Sequence, residues 1–495
     1  MVSNMKKLLI IFLILFSYSY AHATTYESDG TPTVAEVDTL ITNASAGDTI
    51  KLMGSATWSS TLTLGKAITL DCNGYTITAG SGLSGNMIES GAFTDATNLL
   101  RITGCTLDQT VNNYADPYTV LISAGSNIEN IRIDHNVFKF GSYGVYIYSK
   151  KALVDNNEFY NQATFLNFSG GVRANGDEAW EDLTLGTANA IFAENNKFIC
   201  DADDTGNQCA AGNVVDGSAG ARVVFRYNEF DYDDVTHTSF YGPQFHGSAA
   251  GGGAYGYWEA CATCRRSPTA IEWYGNDLHA TGAPDTISNM LTLRGGTAVI
   301  YNNSIDNASA TIQFYEEEQY VTSNWPVSRT GWPAEDQVHN TFVWGNTFGG
   351  GAQEDSDVVV QASSTAYIQQ DRDYFTHQPA TTGDGETLGK ESFYTASDCV
   401  GVGNPVPACT GSGTGDLRNG AAQTHPTDGD PYDNYGGMYF TAGVENAHYG
   451  YTPYTYPHPL RSEAAAPANA IQGVTIGNLQ TIEELISWNR SDGLR

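Results

Sequence analysis

The chain has 495 residues, with 55 acidic against 23 basic side chains and a formal net charge of −32 at pH 7. A surface of that sign excludes nucleic acid and anionic membranes as partners. With 29 Tyr and 8 Trp, and 12% aromatic residues in all, the composition is that of an ordered protein and not of an acidic disordered tail.

The chain opens with an export signal. Lys6 and Lys7 precede an apolar run over residues 8–16, and Ala21-His22-Ala23 offers a small-residue cleavage site. That is the layout of a secretory signal peptide, too short to span a bilayer, so residues 1–23 are assigned to it with cleavage after Ala23. No later stretch has the apolar length of a membrane helix, and no membrane insertion is expected. The expected location is extracellular, at the cell surface or periplasmic. In such an oxidising compartment the eight cysteines read as disulfides. Nearest-neighbour pairing, Cys72–Cys105, Cys200–Cys209, Cys261–Cys264 and Cys399–Cys409, is the expected arrangement, with other connectivities left open.

Next comes a short helix. Thr31-Pro32 reads as its start, with Pro at the first helical position, and Val34, Val37, Leu40 and Ile41 form one apolar face. This helix is expected to plug the N-terminal end of the strand-rich region after it.

That region is a repeat. Alternating apolar residues, then Asn, a variable residue and a large apolar residue, recur at Asn136-Val-Phe138, Asn157-Glu-Phe159, Asn196-Lys-Phe198, Asn228-Glu-Phe230, Asn276-Asp-Leu278, Asn303-Ser-Ile305 and Asn346-Thr-Phe348. Alternation of period two says strand. The asparagines are 21, 39, 32, 48, 27 and 43 residues apart, which predicts loops of varying length inserted at one place in each turn. Short strands, a sharp Asn bend and variable loops describe an all-β fold, the right-handed parallel β-helix, over residues 24–350, with the Asn side chains stacked as a ladder. Residues 351–461 read as last coils and long C-terminal loops, with further strands expected at 358–361 and 365–368. Residues 462–495 read as a linker and small appendix.

On these repeats the chain resembles the pectate-lyase-like superfamily of secreted β-helix proteins. It is also similar to a group of uncharacterised bacterial β-helix proteins that end in stretches like Gly450-Tyr-Thr-Pro-Tyr-Thr-Tyr-Pro-His-Pro459. The resemblance covers roughly residues 31–461. It implies the fold, and it leaves lyases, hydrolases, esterases, epimerases and adhesins as functions such a fold hosts.

If each Asn is the bend, the residues three and five before it point inward. They are Ile133 and Ile131, Val154 and Ala152, Ala193 and Ile191, Phe225 and Val223, Trp273 and Ile271, Ile300 and Ala298, Val343 and Thr341. The residues two before it are then expected to face solvent in one row: Asp134, Asp155, Glu194, Arg226, Tyr274, Tyr301 and Trp344. Coils stack about 4.8 Å apart. Neighbouring carboxylates would therefore sit near the roughly 5 Å of a retaining glycosidase, and Tyr274, Tyr301 and Trp344 would offer faces to sugar rings.

The resemblance implies a second use of the row. Ile133-Asp134-His135 matches the family stretch whose Asp is a calcium ligand, so Asp134 would bind calcium, with Asp155 or Glu194 as further oxygen ligands. The family's arginine base is echoed only by Arg265-Arg266-Ser267-Pro268, which makes Arg266 its candidate. Two long loops add candidates. His237 and His246 could serve as general bases, and Trp325 and Trp332 as sugar subsites.

Two functions are thus expected, both with polysaccharide as partner. One is a glycoside hydrolase or calcium-assisted polysaccharide lyase acting on extracellular glycan. The other is a non-catalytic, adhesin-like glycan-binding protein of the cell surface or matrix.

Overall fold

The computed structural model describes residues 23–378, except 111–117, 123–126, 129, 150, 170–184, 202–208, 210–213, 219–220, 233–241, 247–269, 280–288, 316–337, 339–340, 366–367 and 371–372, and then residues 451–461. The expected signal peptide, residues 1–23, therefore lies almost wholly outside the described residues.

The described strands form three long sheets of 12, 11 and 10 strands. Each coil contributes one strand to sheet 1, one to sheet 2 and one to sheet 3 before returning to sheet 1. One coil, for example, runs Ile131–Asp134, Val137–Lys139, Tyr143–Tyr148. Pairing between coils is parallel throughout, save where Gly351–Ala352 turns back on Thr347–Phe348. This is the right-handed parallel β-helix that the repeat predicts.

The physics of the coil is local. Every inward residue expected of sheet 1 is buried; Thr341, the one polar member, accepts a bond from the Ala298 amide at 3.2 Å. In sheet 2 the large residue after each Asn also points inward. Phe138, Phe159, Phe198 and Phe230 stack along the axis with centroids 4.6, 5.1 and 4.8 Å apart. Burying one such ring contributes about 1.5–3 kcal/mol.

Between sheets 1 and 2 lies a two-residue turn. Its first residue has a positive φ, from 53° at Asn302 to 66° at Gly275 and Gly345, and its second is the ladder Asn. A Cβ at Gly275 would lie 2.7 Å from the Tyr227 ring of the preceding coil, which is why this position carries no side chain. The ladder is continuous. Each Asn Nδ2 donates to the next Asn Oδ1 at 2.9–3.0 Å from Asn136 to Asn346. The Cys105 amide donates to Asn136 at one end, and Gln353 accepts from Asn346 at 2.7 Å at the other.

Long connections are inserted at two places in the coil, not one. Some join sheet 2 to sheet 3, as from Cys200 to Val215, and others join sheet 3 to sheet 1, as from Phe314 to Thr341. Sheet 3 is the strand set that both kinds of insertion flank.

At the N-terminal end, α1 (Val34–Asn43) covers the first coils with Val37 and Ile41 buried. Its cap is Thr33, whose hydroxyl accepts from the Glu36 amide at 3.2 Å, so Pro32 lies before the cap and not at the first helical position. Val358–Val360 and Tyr374–Phe375 extend sheets 3 and 1 past residue 350. Thr365, expected in a strand, lies in a turn after the 3₁₀ turn Ala362–Ser364. Disulfides join Cys72 to Cys105 and Cys200 to Cys209, as expected. The other two expected pairs lie outside the described residues. A second compact unit, residues 455–495, shows a 3₁₀ turn at Pro459–Arg461 in its described part.

Candidate functional site

The row Asp134, Asp155, Glu194, Arg226, Tyr274, Tyr301 and Trp344 runs in register from coil to coil of sheet 1. Asp155 pairs directly with Glu194, so no coil hides in the 39-residue interval between Asn157 and Asn196. The row points away from the core, yet it does not face solvent: Asp134, Asp155, Glu194 and Arg226 are 0% exposed. A second outward row, two residues earlier, includes Leu153, Phe192, Val224, Val299 and Phe342, all buried. Residues 451–454 lie over the middle coils of both, where Tyr451 meets Glu272 and Tyr301 and Tyr454 meets Phe192 and Arg226. The Tyr454 ring meets Phe192 at 5.3 Å, and its carbonyl accepts from Arg226 at 2.7 Å.

Each carboxylate of the row is engaged by a guanidinium. Arg101 grips Asp134 at 2.7 and 2.5 Å, Arg132 grips Asp155 at 2.9 and 3.0 Å, and Arg226 holds Glu194 at 2.8 Å. His135 Nδ1 also lies 2.7 Å from Asp134. Burial pushes the Asp134 carboxyl up, but hydrogen bonds from Arg101 and His135 and the charge of Arg132 outweigh it and hold it below its ordinary value. These carboxylates do not fit a calcium ion, which would have to enter a closed layer against three guanidinium groups. Among the described residues, no group of three His, Cys, Asp or Glu could hold a metal.

The aromatic half of the row is buried at Tyr274 and Tyr301, with Trp344 partly exposed at its end. Tyr274 and Tyr301 stack at 4.6 Å and 12°, and Tyr301 and Trp344 at 4.3 Å and 2°. Their faces meet one another along the axis, so only ring edges point outward and a sugar has no face to stack on between them.

Beside this stack, Glu272 is buried and accepts from the Tyr451 hydroxyl at 2.6 Å and from the Gly186 amide at 2.7 Å. Burial raises its carboxyl above the ordinary value, against the opposing pull of those two bonds and of Arg226.

Sheet 3 presents a different outer face. Polar–apolar–polar triplets stand there in register: Asn167-Phe-Ser169, Asp216-Gly-Ser218, Gln244-Phe-His246, Thr292-Leu-Arg294 and Gln313-Phe-Tyr315. The middle Phe and Leu residues enter the core, while Asn167, Asp216, Gln244, Thr292 and Gln313 point out in one row and His246, Arg294 and Tyr315 in the next. Of the sequence candidates, His246 alone falls here. Its Nε2 lies 3.3 Å from Asp216 Oδ1 and its Nδ1 3.2 Å from Arg294, while Arg294 also donates to Gln244 Oε1. The Arg294 guanidinium sits over the Tyr315 ring at 5.3 Å. His246 is 18% exposed and Asp216 23%, against 0% for the sheet 1 carboxylates. An arginine, an imidazole, a carboxylate and an amide thus converge at an accessible surface of an otherwise acidic protein. That set can hold an anionic group and move a proton next to it.

Asp216, Gln244, Arg294 and Tyr315 are not apparent from the sequence alone. The triplets carry the available signal, but varying loops separate them from the asparagines that set the register. His237, Arg266, Trp325 and Trp332 lie outside the described residues.

No protein-family model matches the chain, and no curated protein sequence matches it. Among solved structures, it is similar to an alginate lyase from Paenibacillus sp. str. FPU-7 at 14% identity and a TM-score of 0.34, over 67% of this chain and 99% of that one. Among the described residues, no helix is long and apolar enough to cross a membrane.

Proposed function

We propose that this is an exported polysaccharide lyase, with its reaction centre on the outer face of sheet 3. The observation that carries the reading is the group Arg294–His246–Asp216, partly exposed beside the buried Gln244 and gathered from in-register coils. Export is supported by the signal layout of residues 1–23 and by the two disulfides.

The chemistry follows from the donors. Arg294 and Gln244 bind the carboxylate of a uronic acid unit and withdraw charge from it, which acidifies the adjacent C5 hydrogen. His246 accepts that proton at Nδ1, the nitrogen released as Arg294 turns to the uronate, with Asp216 at Nε2 orienting the ring and stabilising the imidazolium. The electron pair forms the C4–C5 double bond, the C4–O4 bond breaks, and the Tyr315 hydroxyl or a water protonates the departing oxygen. No step runs through calcium. In this reading Asp134, Asp155, Glu194 and Arg226 brace sheet 1.

The test is an activity screen of the mature protein on polygalacturonate, alginate, hyaluronan and neutral xylan, following reducing ends and the ultraviolet absorbance of unsaturated ends. Unsaturated product from an acidic glycan is expected, with a loss of about 10²–10⁴-fold in kcat for His246→Ala. Reducing ends without unsaturation would make the protein a hydrolase and sink the elimination. Binding without any cleavage would leave a glycan-binding protein.

A further inference from the structure

The outer face of sheet 3 does not end at Asn167. Its rows continue toward the N terminus to Tyr146, which pairs with Asn167, and Tyr148, which pairs with Ser169. Two more tyrosines join them, Tyr143 at the start of the same strand and Tyr118 at the start of the strand before it. Tyr118 lies 4.9 Å from Tyr143 and 4.8 Å from Tyr146, and Tyr146 lies 4.1 Å from Tyr148, between ring centroids.

Four tyrosines therefore share one patch, and its geometry differs from the closed stack on sheet 1. These ring pairs are tilted by 46°, 56° and 35°, where Tyr274, Tyr301 and Trp344 stack at 12° and 2°. The four rings therefore do not close on one another face to face as those on sheet 1 do. Tyr146 is the floor at 5% exposure, with Tyr118, Tyr143 and Tyr148 half-buried around it. The intervening side chains of the strand, Val145 and Ile147, are locked into the core, which mounts the rings on a rigid support.

We propose that Tyr118, Tyr143, Tyr146 and Tyr148 form a sugar-binding platform, remote from the reaction centre, for the same glycan chain. A tyrosine suits a pyranose because its ring covers the apolar C–H face while its hydroxyl reaches the sugar hydroxyls. Tyr146 stands three strands from Gln244, about 14 Å along the axis at the ordinary strand spacing. A glycan lying parallel to the axis meets both places; a short one reaches only one. The consequence is preference for long chains and attack away from chain ends. The inference rests on sheet 3 being the glycan-binding face.

The experiment compares wild type, Tyr148→Ala, Tyr143→Ala and Arg294→Ala, with Tyr148→Phe as the variant that keeps the ring. Probes are disaccharides and hexasaccharides from polygalacturonate and from alginate, with affinity electrophoresis in gels containing the parent polymers or xylan. Melting curves confirm that each variant folds. The expected result is a roughly fivefold to tenfold loss of hexasaccharide affinity in Tyr148→Ala and Tyr143→Ala. Disaccharide affinity should be unchanged, and Tyr148→Phe should recover most of the loss.

Equal effects on short and long probes, or no effect on either, would overturn the platform while leaving an Arg294-dependent centre standing. If the tyrosine variants lose binding to xylan and Arg294→Ala does not, the platform stands and the uronate reading falls. If wild type is retarded by none of the three polymers, both fall.

Discussion

Replacing Asn228 by Ala measures what the ladder contributes. The side chain is 2% exposed and makes four bonds between coils. It donates to Asn276 Oδ1 and the Ala193 carbonyl, each at 3.0 Å, and accepts from the amide and the side chain of Asn196 at 2.9 and 3.0 Å. After truncation, Asn276 Oδ1 still receives the Asn228 amide, and Asn196 Nδ2 still donates to the Val154 carbonyl. The Asn196 amide and the Ala193 carbonyl lose those bonds inside a buried turn. At about 1–3 kcal/mol for each stranded group, the expected loss is about 3–4 kcal/mol. Asn195→Gly, one residue earlier in a turn position with φ 58°, removes a half-exposed side chain that glycine replaces without strain, and should cost under about 1 kcal/mol. Urea unfolding followed by circular dichroism and tryptophan fluorescence gives both values. Equal midpoints for the two variants would refute the claim that the amide chain, and not the turn conformation, holds adjacent coils.

Three further predictions concern the closed face and the cross-links. Arg226→Met leaves Glu194 buried without its cation and should cost about 3–5 kcal/mol, with part recovered in Arg226→Met/Glu194→Gln; melting temperatures of the singles and the double decide it. The folded pKa of Asp134 is depressed, so its contribution is complete above the unfolded value of about 3.9 and is lost as pH falls through the folded one. The folded pKa of Glu272 is raised, so its contribution is present below the unfolded carboxyl pKa and is lost as pH rises through the folded value. Glu272→Gln, a mimic of the protonated form, should therefore flatten the alkaline side of the stability curve, while Asp134→Asn flattens the acid side; unchanged curves in pH-scanned melts would contradict both. Opening Cys72–Cys105, which closes a separation of 33 residues, should cost about 3.7 kcal/mol, against about 2.6 for Cys200–Cys209 with 9, measured on Cys→Ser pairs by urea titration.

The coil was legible because its causes lie within a few residues of each other. Alternation put Ile131 and Ile133 inside, and recurrence of Asn-x-Phe set the register without knowledge of any loop. The outward row was legible as a row, but its environment was not. At Arg226 and Glu272 the cover comes from Tyr454 and Tyr451, the former 228 residues from Arg226, and nothing in the strands records that contact. Phe192, Val224 and Val299 did carry a warning, since apolar residues between inward positions are unusual on a wet face. The capping helix starts two residues later than Thr31-Pro32 suggests, because Thr31 and Thr33 both suit a cap and only the bond from Glu36 chooses between them.

The same ladder bears on where a reaction centre can stand. An insertion between sheets 1 and 2 would break the amide chain, since each Asn must meet its neighbours at 2.9–3.0 Å. Extra chain is therefore confined to the other two corners, and those corners border sheet 3 on both of its sides. Sheet 3 is the face whose surroundings can vary without cost to the solenoid. Sheet 1 shares one border with the invariant turn, and its outer residues are closed by Arg–carboxylate pairs and by ring stacking. A parallel β-helix that keeps its ladder intact is left with sheet 3 as the place to build walls around a long ligand. There His246, Arg294, Tyr118, Tyr143 and Tyr148 stand partly exposed, where the sheet 1 carboxylates lie beneath the surface.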